Sequence, residues 1–318
     1  MKVNDFKKIM VIVNPNAGKG CKAPGFLRKL LGFRHGNTEN ISTAQIIEKI
    51  LLSFLEYELV PEIFTSSAPG DAEKEARRCV QRNYDALIAV GGDGTVNEVI
   101  NGIAGTNTAL GVIPFGTANV FAAQNNLPSD IAGACKVVMS GKIIRLDLGC
   151  INGERYFACM AGIGFDAYVI KKADRRMKKI FGMFSYFFAM IFSYFSYKFE
   201  DIEFEIDSQP LKKNGKLLFV CNGPYYGGSM LMAPKADPAD GLLDICILKK
   251  SGIFSLISYV IAIYRGTLHK NKNAEYWQCG KISLCGKTGH PVHADAEYIG
   301  VFPAEIKICP GALKTIIP

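Results

Sequence analysis

The first half of the chain alternates short apolar runs with stretches of helical periodicity. The apolar runs predict strands at 7–13, 59–64, 85–90 and 110–113. The periodic stretches predict helices at 43–56, 71–81 and 96–103. Continuous apolar runs are typical of parallel strands that are buried on both faces. The alternation therefore predicts a parallel sheet with helices on both of its faces.

The pattern of apolar positions changes near Asp147. Asn152-Gly153 separates two apolar runs, 144–150 and 155–160, which predicts a β-hairpin with a type I′ turn. Further short strands are predicted at 201–206, 217–221, 242–248, 281–284 and 301–308. Because these strands are short and joined by turns, the second half is predicted to be predominantly antiparallel.

These two patterns predict two domains. Residues 1–147 form an α/β domain, and residues 148–308 form a β domain with one helix that is a candidate for facing lipid. The last residues, 309–318, are apolar and return to the first domain in this interpretation. A length of 318 residues is consistent with two domains.

The most informative loop is Gly91-Gly92-Asp93-Gly94-Thr95, which lies between an apolar strand and a helix. Its glycines let the backbone approach a ligand closely, and the unpaired amides at the start of the helix favour a phosphate. A carboxylate beside phosphates usually acts through a metal ion, which makes Asp93 a candidate. The alternative is a tight turn with Asp93 or Thr95 as the helix cap. The loop is neither a dinucleotide fingerprint nor a Walker A motif.

Three other predicted strands end in similar loops, at 14–20, 65–71 and 114–119. Each loop taken alone is also compatible with a plain turn. Ligands bind at the carboxyl edge of open α/β sheets. A cluster of four such loops at one edge therefore favours a binding site over four unrelated turns.

Residues 180–197 carry no charge and are rich in aromatic side chains. Three interpretations remain open for this segment: a helix packed in the core, an aromatic helix exposed to lipid, and a membrane span. A second apolar stretch, 253–264, is too short to span a membrane.

Charge and cysteine content narrow the choice of partners and compartment. The net charge of +8 suits an anionic partner, either a nucleotide or an anionic membrane face. We expect no nucleic-acid partner, because no nucleic-acid-binding motif is present. The 10 cysteines include no Cys-x-x-Cys pair, and with no signal-like start we expect a cytoplasmic chain. His290 and His293 lack neighbouring ligands at zinc spacing, so a zinc site is disfavoured.

Six motifs taken together resemble the diacylglycerol kinase catalytic-domain family, in particular its bacterial soluble lipid kinases. They are Val13–Lys19, Gly91–Glu98, Pro114–Asn119, Asp147–Gly149, Gly162–Asp166 and Ala236–Asp244. The resemblance covers nearly the whole chain. It implies an NAD-kinase-like α/β nucleotide-binding domain followed by a β-sandwich domain, with ATP in the cleft between them.

The resemblance also implies the residues that contact ATP and magnesium. The implied ATP-binding residues are Asn14, Pro15, Asn16, Ala17, Gly18, Thr65, Gly92, Asp93, Gly94, Thr95, Val96, Asn97, Glu98 and Thr117. Asp93 would help to hold a catalytic Mg²⁺. A second, structural Mg²⁺ is implied at Asp237, Asp240 and the carbonyl of Leu242, although Asp-Pro and Asp-Gly also explain a plain turn there.

The catalytic base of the family lies in a late Asp-Gly-Glu motif. The matching residues here are Asp295-Ala296-Glu297, where Ala296 replaces the glycine. By the resemblance, Glu297 would take the proton of the lipid hydroxyl and Asp295 would support it. If the backbone needs a positive φ, Ala296 strains this turn. A solvated surface pair is the alternative for the two carboxylates.

The resulting hypothesis is an ATP- and Mg²⁺-dependent lipid kinase at the inner face of the membrane, with diacylglycerol as the default substrate and phosphatidic acid as its product. The membrane contact would use basic side chains and an aromatic helix. One alternative is a kinase of the same fold that acts on a soluble acceptor such as NAD, and another is a non-catalytic lipid- or nucleotide-binding protein. The sequence leaves open which lipid is phosphorylated and whether the chain forms a homodimer.

Overall fold

The structure of the protein is a computed structural model. It describes residues 4–17, 42–172, 184–207, 213–285, 289–302 and 304–318. These residues fall into two compact units, the first with residues 4–17, 42–146 and 311–318 and the second with residues between 147 and 310.

The elements of the first unit alternate between strand and helix as far as β4. They are β1 (Ile9–Val13), α1 (Thr43–Leu55), β2 (Glu62–Thr65), α2 (Asp71–Gln81), β3 (Ala86–Gly91), α3 (Asp93–Ile103), β4 (Ala109–Pro114), α4 (Val120–Gln124) and α5 (Ile131–Ser140). Strand β5 (Lys142–Ile151) begins in this unit.

The second unit is mostly strand. It contains β6 (Arg155–Phe157), β7 (Met160–Gly164), α6 (Phe165–Lys172), α7 (Phe184–Ser196), β8 (Ile202–Ile206), β9 (Lys213–Gly215), β10 (Leu217–Cys221), β11 (Tyr225–Tyr226), β12 (Met230–Leu231), β13 (Leu243–Leu248), α8 (Ile253–Tyr264), β14 (Ala274–Cys279), β15 (Lys281–Leu284), β16 (His290–Ala294) and β17 (Glu297–Phe302). A short 3₁₀ turn spans Leu268–Lys270, and β18 (Glu305–Ile317) ends in the first unit.

The first unit is built on a parallel sheet with strand order β2-β1-β3-β4. Thr315 of β18 pairs in parallel with Leu110, which places the end of the chain beside β4. β1 and β3 are buried along their whole length, as their continuous apolar runs predict. On one face, α1 packs Ile50 and Phe54 into the same core as side chains of α5.

The second unit contains two antiparallel groups of strands. One is the six-stranded sheet β14-β13-β10-β7-β16-β17, and the other includes β15 paired with β8 and with β18. A core that includes Ile163, Leu218 and Phe204 joins side chains from both groups, as in a β-sandwich. The opposite face of the six-stranded sheet is covered by side chains of α6 and α8.

Two predicted strands are each divided in the structure. The predicted strand 155–160 ends at Phe157, and Met160 begins β7 in the other sheet. The strand is interrupted because the amides of Ala158 and Cys159 donate to the side chain of Asp295 rather than to a neighbouring strand. The predicted strand 301–308 is also wrong, since β17 ends at Phe302 and β18 begins at Glu305.

The predicted hairpin at Asn152-Gly153 is present. Both residues have the positive φ of a type I′ turn, 51° and 74°. Ile151 pairs with Arg155, so the loop holds three residues rather than the two of the tightest hairpins.

Thirteen residues of the aromatic segment form α7 (Phe184–Ser196). Phe192 and Phe195 are exposed, whereas Met190 and Tyr194 pack against the core. Over the described ranges, no helix has the length and apolar character needed to cross a membrane. Residues 180–183 lie outside the described part of the chain.

Candidate functional site

The loops of the first unit lie together because their strands are in register. Val13 pairs with both Thr65 and Val90, and Val90 pairs with Ile113. The four strands are parallel, so their carboxyl ends share one edge of the sheet. This edge is where α/β sheets bind ligands.

Two of these loops touch through their glycines. A Cβ atom on Gly92 would lie 3.1 Å from the Cα of Gly116, and a Cβ on Gly116 would collide with the Cα of Gly92. A side chain at either position would push the two loops apart. Glycine is therefore required here by the close approach of two backbones.

The first turn of helix α3 lies at this edge. It begins at Asp93, and Gly92 at its N-cap supplies no side-chain hydrogen bond. The first turn of a helix has N–H groups without intrahelical acceptors, which favour an anion. A Cβ on Gly94 would meet nothing within 4 Å, so the space beside this turn is open in the first unit.

Asn14 connects the loop after β1 to α3. Its Nδ2 donates to Oγ1 of Thr95 at 3.0 Å, and its Oδ1 accepts from the amide of Asn16 at 3.0 Å. These bonds hold the 14–17 turn against the first turn of α3. Pro15 and Ala17 are part of this turn, and Gly18 lies outside the described residues.

The loop after β4 is held by Asn119. Its side chain accepts from the amide of Gly116 at 2.9 Å and donates to the carbonyl of Gly116 at 3.0 Å. Asn119 has a φ of 49°, a left-handed conformation that asparagine tolerates better than most residues. Thr117 lies between Gly116 and Asn119 and is half-buried. The α4 helix that follows is linked to α3, because Oδ1 of Asp93 accepts from the amide of Phe121 at 3.3 Å.

Not every expected ATP-binding residue points its side chain to this edge. Val96 and Asn97 are buried, and Asn97 accepts a hydrogen bond from Asn101 in the same helix. Oε2 of Glu98 accepts from the amide of Ala72 at the start of α2. These three residues support α3, and their side chains have packing and capping contacts of their own.

The loop after β2 carries one perturbed carboxyl group. Oδ2 of Asp71 accepts from the hydroxyl of Ser67 at 2.8 Å and from the amide of Ala68 at 2.8 Å. The Ser67 hydroxyl and these amides lower the pKa of Asp71. These hydrogen bonds keep the charge of Asp71 within its own loop. Asp71 is the first residue of α2 and lies six residues after the exposed Thr65.

In the second unit, Asp295 and Ala296 form a two-residue turn between β16 and β17. Ala294 pairs with Glu297, and the two central residues have φ values of 45° and 63°. Both values are in the left-handed region, as in a type I′ turn. The turn therefore does need a positive φ at Ala296, where alanine is less favourable than glycine.

The carboxylate of Asp295 holds this turn against the backbone of residues 158–160. It accepts hydrogen bonds from the amides of Ala158, Cys159 and Met160 at 2.8, 2.9 and 2.9 Å. The amide of Asp295 donates to the carbonyl of Met160. Asp295 therefore stabilises the turn itself, which is a more specific role than the support of Glu297 that the resemblance implies.

Glu297 lies beside Arg155, a residue that the sequence did not indicate. Nη2 of Arg155 donates to Oε2 of Glu297 at 2.6 Å. The Glu297 side chain is 46% exposed, and its Oε1 accepts no hydrogen bond from the described residues. One carboxylate oxygen is therefore oriented by a guanidinium group while the other is open to a hydroxyl group.

A second set of contacts missed by the sequence lies under the same turn. Nε2 of His293 bonds to Oδ2 of Asp166 at 2.7 Å, and the amide of Ala296 donates to Nδ1 of His293 at 3.3 Å. Since Nδ1 accepts, Nε2 carries the hydrogen. Tyr226 donates to Oδ1 of Asp166 at 2.7 Å. This chain of bonds links the 295–296 turn to α6.

The segment 237–242 forms two successive side-chain-capped turns. Oδ1 of Asp237 accepts from the amide of Ala239, and Oδ1 of Asp240 accepts from the amide of Leu242. Asp147 holds the segment by accepting from the amide of Gly241 at 2.7 Å. In the ranges that the structure describes, no group of three or more His, Cys, Asp or Glu side chains is arranged to hold a metal.

Comparison with known proteins supplies the family. The model of the diacylglycerol kinase catalytic domain matches residues 8–151, and the model of the YegS C-terminal NAD kinase beta sandwich-like domain matches residues 159–317. A diacylglycerol kinase of Staphylococcus saprophyticus is 34% identical over 242 residues, 76% of this chain and 79% of that protein. One of Staphylococcus aureus is 34% identical over 237 residues, 74% of this chain and 75% of that protein.

Solved structures share the fold. The structure of a diacylglycerol kinase from Bacillus anthracis is 22% identical with a TM-score of 0.71, covering 99% of this chain and 98% of that one. A second structure from the same organism is 25% identical with a TM-score of 0.77, covering 100% and 99%.

Proposed function

Because the chain belongs to the diacylglycerol kinase family, we propose that it transfers the γ-phosphoryl group of ATP to the hydroxyl group of diacylglycerol, giving phosphatidic acid. The observation that carries the proposal is the 295–297 turn. It is fixed by Asp295 and His293 and presents Glu297 with one oxygen open. Such a rigid, accessible carboxylate suits a base that takes a proton from a bound hydroxyl group.

The first unit would bind the phosphates of ATP. The amides in the first turn of α3 and the touching loops of Gly92 and Gly116 would form the phosphate-binding surface. Phosphoryl transfer depends mainly on positioning and on charge stabilisation. Backbone amides held in place by Asn14 and Asn119 would supply both.

Glu297 would act on the acceptor lipid. Its Oε1 takes the proton of the hydroxyl group, the lipid oxygen bonds to the γ-phosphorus, and the bond from that phosphorus to the bridging oxygen breaks, which releases ADP. Arg155 holds Oε2 throughout and keeps the carboxylate oriented. Asp295 acts through the turn and is a positioning residue.

Some of the expected ligand residues are suited to binding Mg²⁺. Asp93 offers one carboxylate, and Asp237 and Asp240 are exposed and each leave one oxygen without a hydrogen bond among the described residues. Oxygen ligands of this kind suit Mg²⁺, so Asp93 would hold a catalytic ion and Asp237, Asp240 and the Leu242 carbonyl a structural one. Bound Mg²⁺ would neutralise phosphate charge.

Diacylglycerol resides in membranes, so we also propose peripheral contact with an anionic membrane surface. The net charge of +8 supports this contact.

The test compares Glu297→Gln with wild type in a transfer assay with γ-labelled ATP, Mg²⁺ and diacylglycerol in mixed micelles. We expect about 10²–10⁴-fold slower transfer by the variant, the usual loss when a proton acceptor is removed. The matched control is Glu305→Gln, since Glu305 is 50% exposed and ion-paired to Lys281 in the same unit. Transfer by Glu297→Gln at the wild-type rate would disprove the role of Glu297. In a parallel assay with added NAD, labelling of NAD in place of lipid would identify a soluble acceptor.

A further inference from the structure

Helix α8 (Ile253–Tyr264) has two apolar sides, and only one is used by the fold. Leu256, Tyr259 and Ile263 are buried against the second unit. The hydroxyl group of Tyr259 accepts from the amide of Lys250 at 3.2 Å. The helix is thus anchored along one side before any partner binds.

The other side of α8 is an exposed apolar stripe. Its most exposed members are Phe254 at 85%, Ile257 at 49% and Ile261 at 46%. The remaining members are Ile253, Val260 and Tyr264. At about 100° per residue, the six side chains occupy roughly a third of the helix circumference. Large apolar side chains in one continuous stripe mark an interaction surface.

The charged residues that flank α8 in the sequence are all cationic. The sequence has no Asp or Glu between residues 245 and 274. Lys250, Arg265, Lys270 and Lys272 lie in that interval and are exposed. None of the four makes an ion pair with another described residue. An apolar stripe with free cations at both ends of its helix is typical of a helix that lies in the interface of an anionic bilayer.

We propose that α8 docks the protein on an anionic lipid bilayer, with the apolar stripe among the acyl chains and the four cations at the headgroups. A second copy of the chain is the main competing occupant. A two-fold interface places the same patch opposite itself, so unpaired cations would face cations. An anionic surface is attracted by the same charges. The proposal names the surface for the membrane contact proposed above and concerns binding alone.

The experiment measures sedimentation of the full chain with vesicles of phosphatidylcholine alone or mixed with phosphatidylglycerol, without ATP. Phe254→Ser/Ile257→Ser should bind mixed vesicles at least about ten-fold more weakly, since each side chain loses apolar burial. The matched control is Leu52→Ser/Leu55→Ser, two exposed residues with the same spacing on α1 of the first unit.

A double substitution of two cations tests the basic residues of the proposed surface. Lys250→Gln/Arg265→Gln should weaken binding to mixed vesicles by about 25-fold at low salt, since each cation contributes about five-fold. Lys136→Gln/Lys142→Gln, exposed residues of the first unit, should have little effect. Equal binding by the stripe variant and wild type, or equal losses in the stripe variant and its control, would overturn the proposal. So would loss of a dimer in the stripe variant, seen by sedimentation equilibrium.

Phosphorylation of a dispersed short-chain diacylglycerol separates docking from catalysis. The stripe variant should phosphorylate this lipid at the wild-type rate while failing to bind vesicles. Absence of transfer by the wild-type chain would refute the kinase proposal and leave the binding result intact. Loss of both activities in the stripe variant, with its fold kept by circular dichroism, would contradict a role confined to docking.

Discussion

The substitution Asp295→Asn isolates the hydrogen bonds that fix the 295–297 turn. Asparagine tolerates the left-handed backbone at least as well as aspartate, so the φ of 45° is not the source of any loss. The oxygen that bonds Cys159 and Met160 can be kept as Oδ1. The other oxygen becomes an NH₂ group and faces the amide of Ala158, which donates as well.

The expected loss follows from these contacts. One bond to a charged acceptor, worth about 1.5–3 kcal/mol, disappears, and the two that remain become neutral bonds of about 0.5–1.5 kcal/mol. After allowance for relaxation of the partly exposed turn, we expect a local loss of about 2–4 kcal/mol. Hydrogen exchange of the amides at 158–160 would then be about 30- to 700-fold faster if opening is local.

Hydrogen–deuterium exchange of a peptide that covers 157–161 measures this effect, with transfer activity recorded in parallel. Asp130→Asn is the matched control, because Asp130 also accepts a hydrogen bond from a backbone amide. Its Oδ1 caps a helix by accepting from the amide of Gly133 at 2.7 Å. Asparagine caps a helix as well as aspartate, so the control should change stability by less than about 0.5 kcal/mol. Unchanged exchange at 158–160 in a folded Asp295→Asn variant would refute the assigned role.

Three further predictions concern the backbone and one titrating side chain. Ala296→Gly should raise the free energy of unfolding by up to about 1 kcal/mol in urea denaturation, because it relieves a φ of 63°, and a clear loss would contradict the strain. Gly116→Ala should lower the melting temperature by forcing Gly92 away, whereas Gly94→Ala should not, since its Cβ meets nothing within 4 Å; equal melting temperatures would count against the loop contact. Burial lowers the pKa of His290, so folding favours its neutral form and stability should fall as the pH drops through about 6.5. His290→Gln should flatten this part of a stability–pH profile, and an unchanged profile would exclude His290 as its source.

The strands of the first unit could be predicted from sequence because their signal is local. A continuous apolar run such as 85–90 belongs to a strand wherever the rest of the chain lies, and it became β3. The same holds for the Gly-rich turn that follows it. Because alanine replaces the glycine of the motif at residue 296, the sequence suggested that the turn could be strained there. The positive φ of Ala296 in the structure confirms that this position favours glycine.

The side chains around Glu297 were decided by tertiary structure alone. Arg155 is 142 residues from Glu297, and Asp166 is 127 residues from His293. Pairing of β16 with β7 brings these residues together, and nothing in the residues near Glu297 encodes that register. The exposed stripe of α8 has the same cause, because an apolar helix of 12 residues does not show which side will be buried. Local sequence determines the elements, whereas contacts between distant residues depend on how the sheets pack.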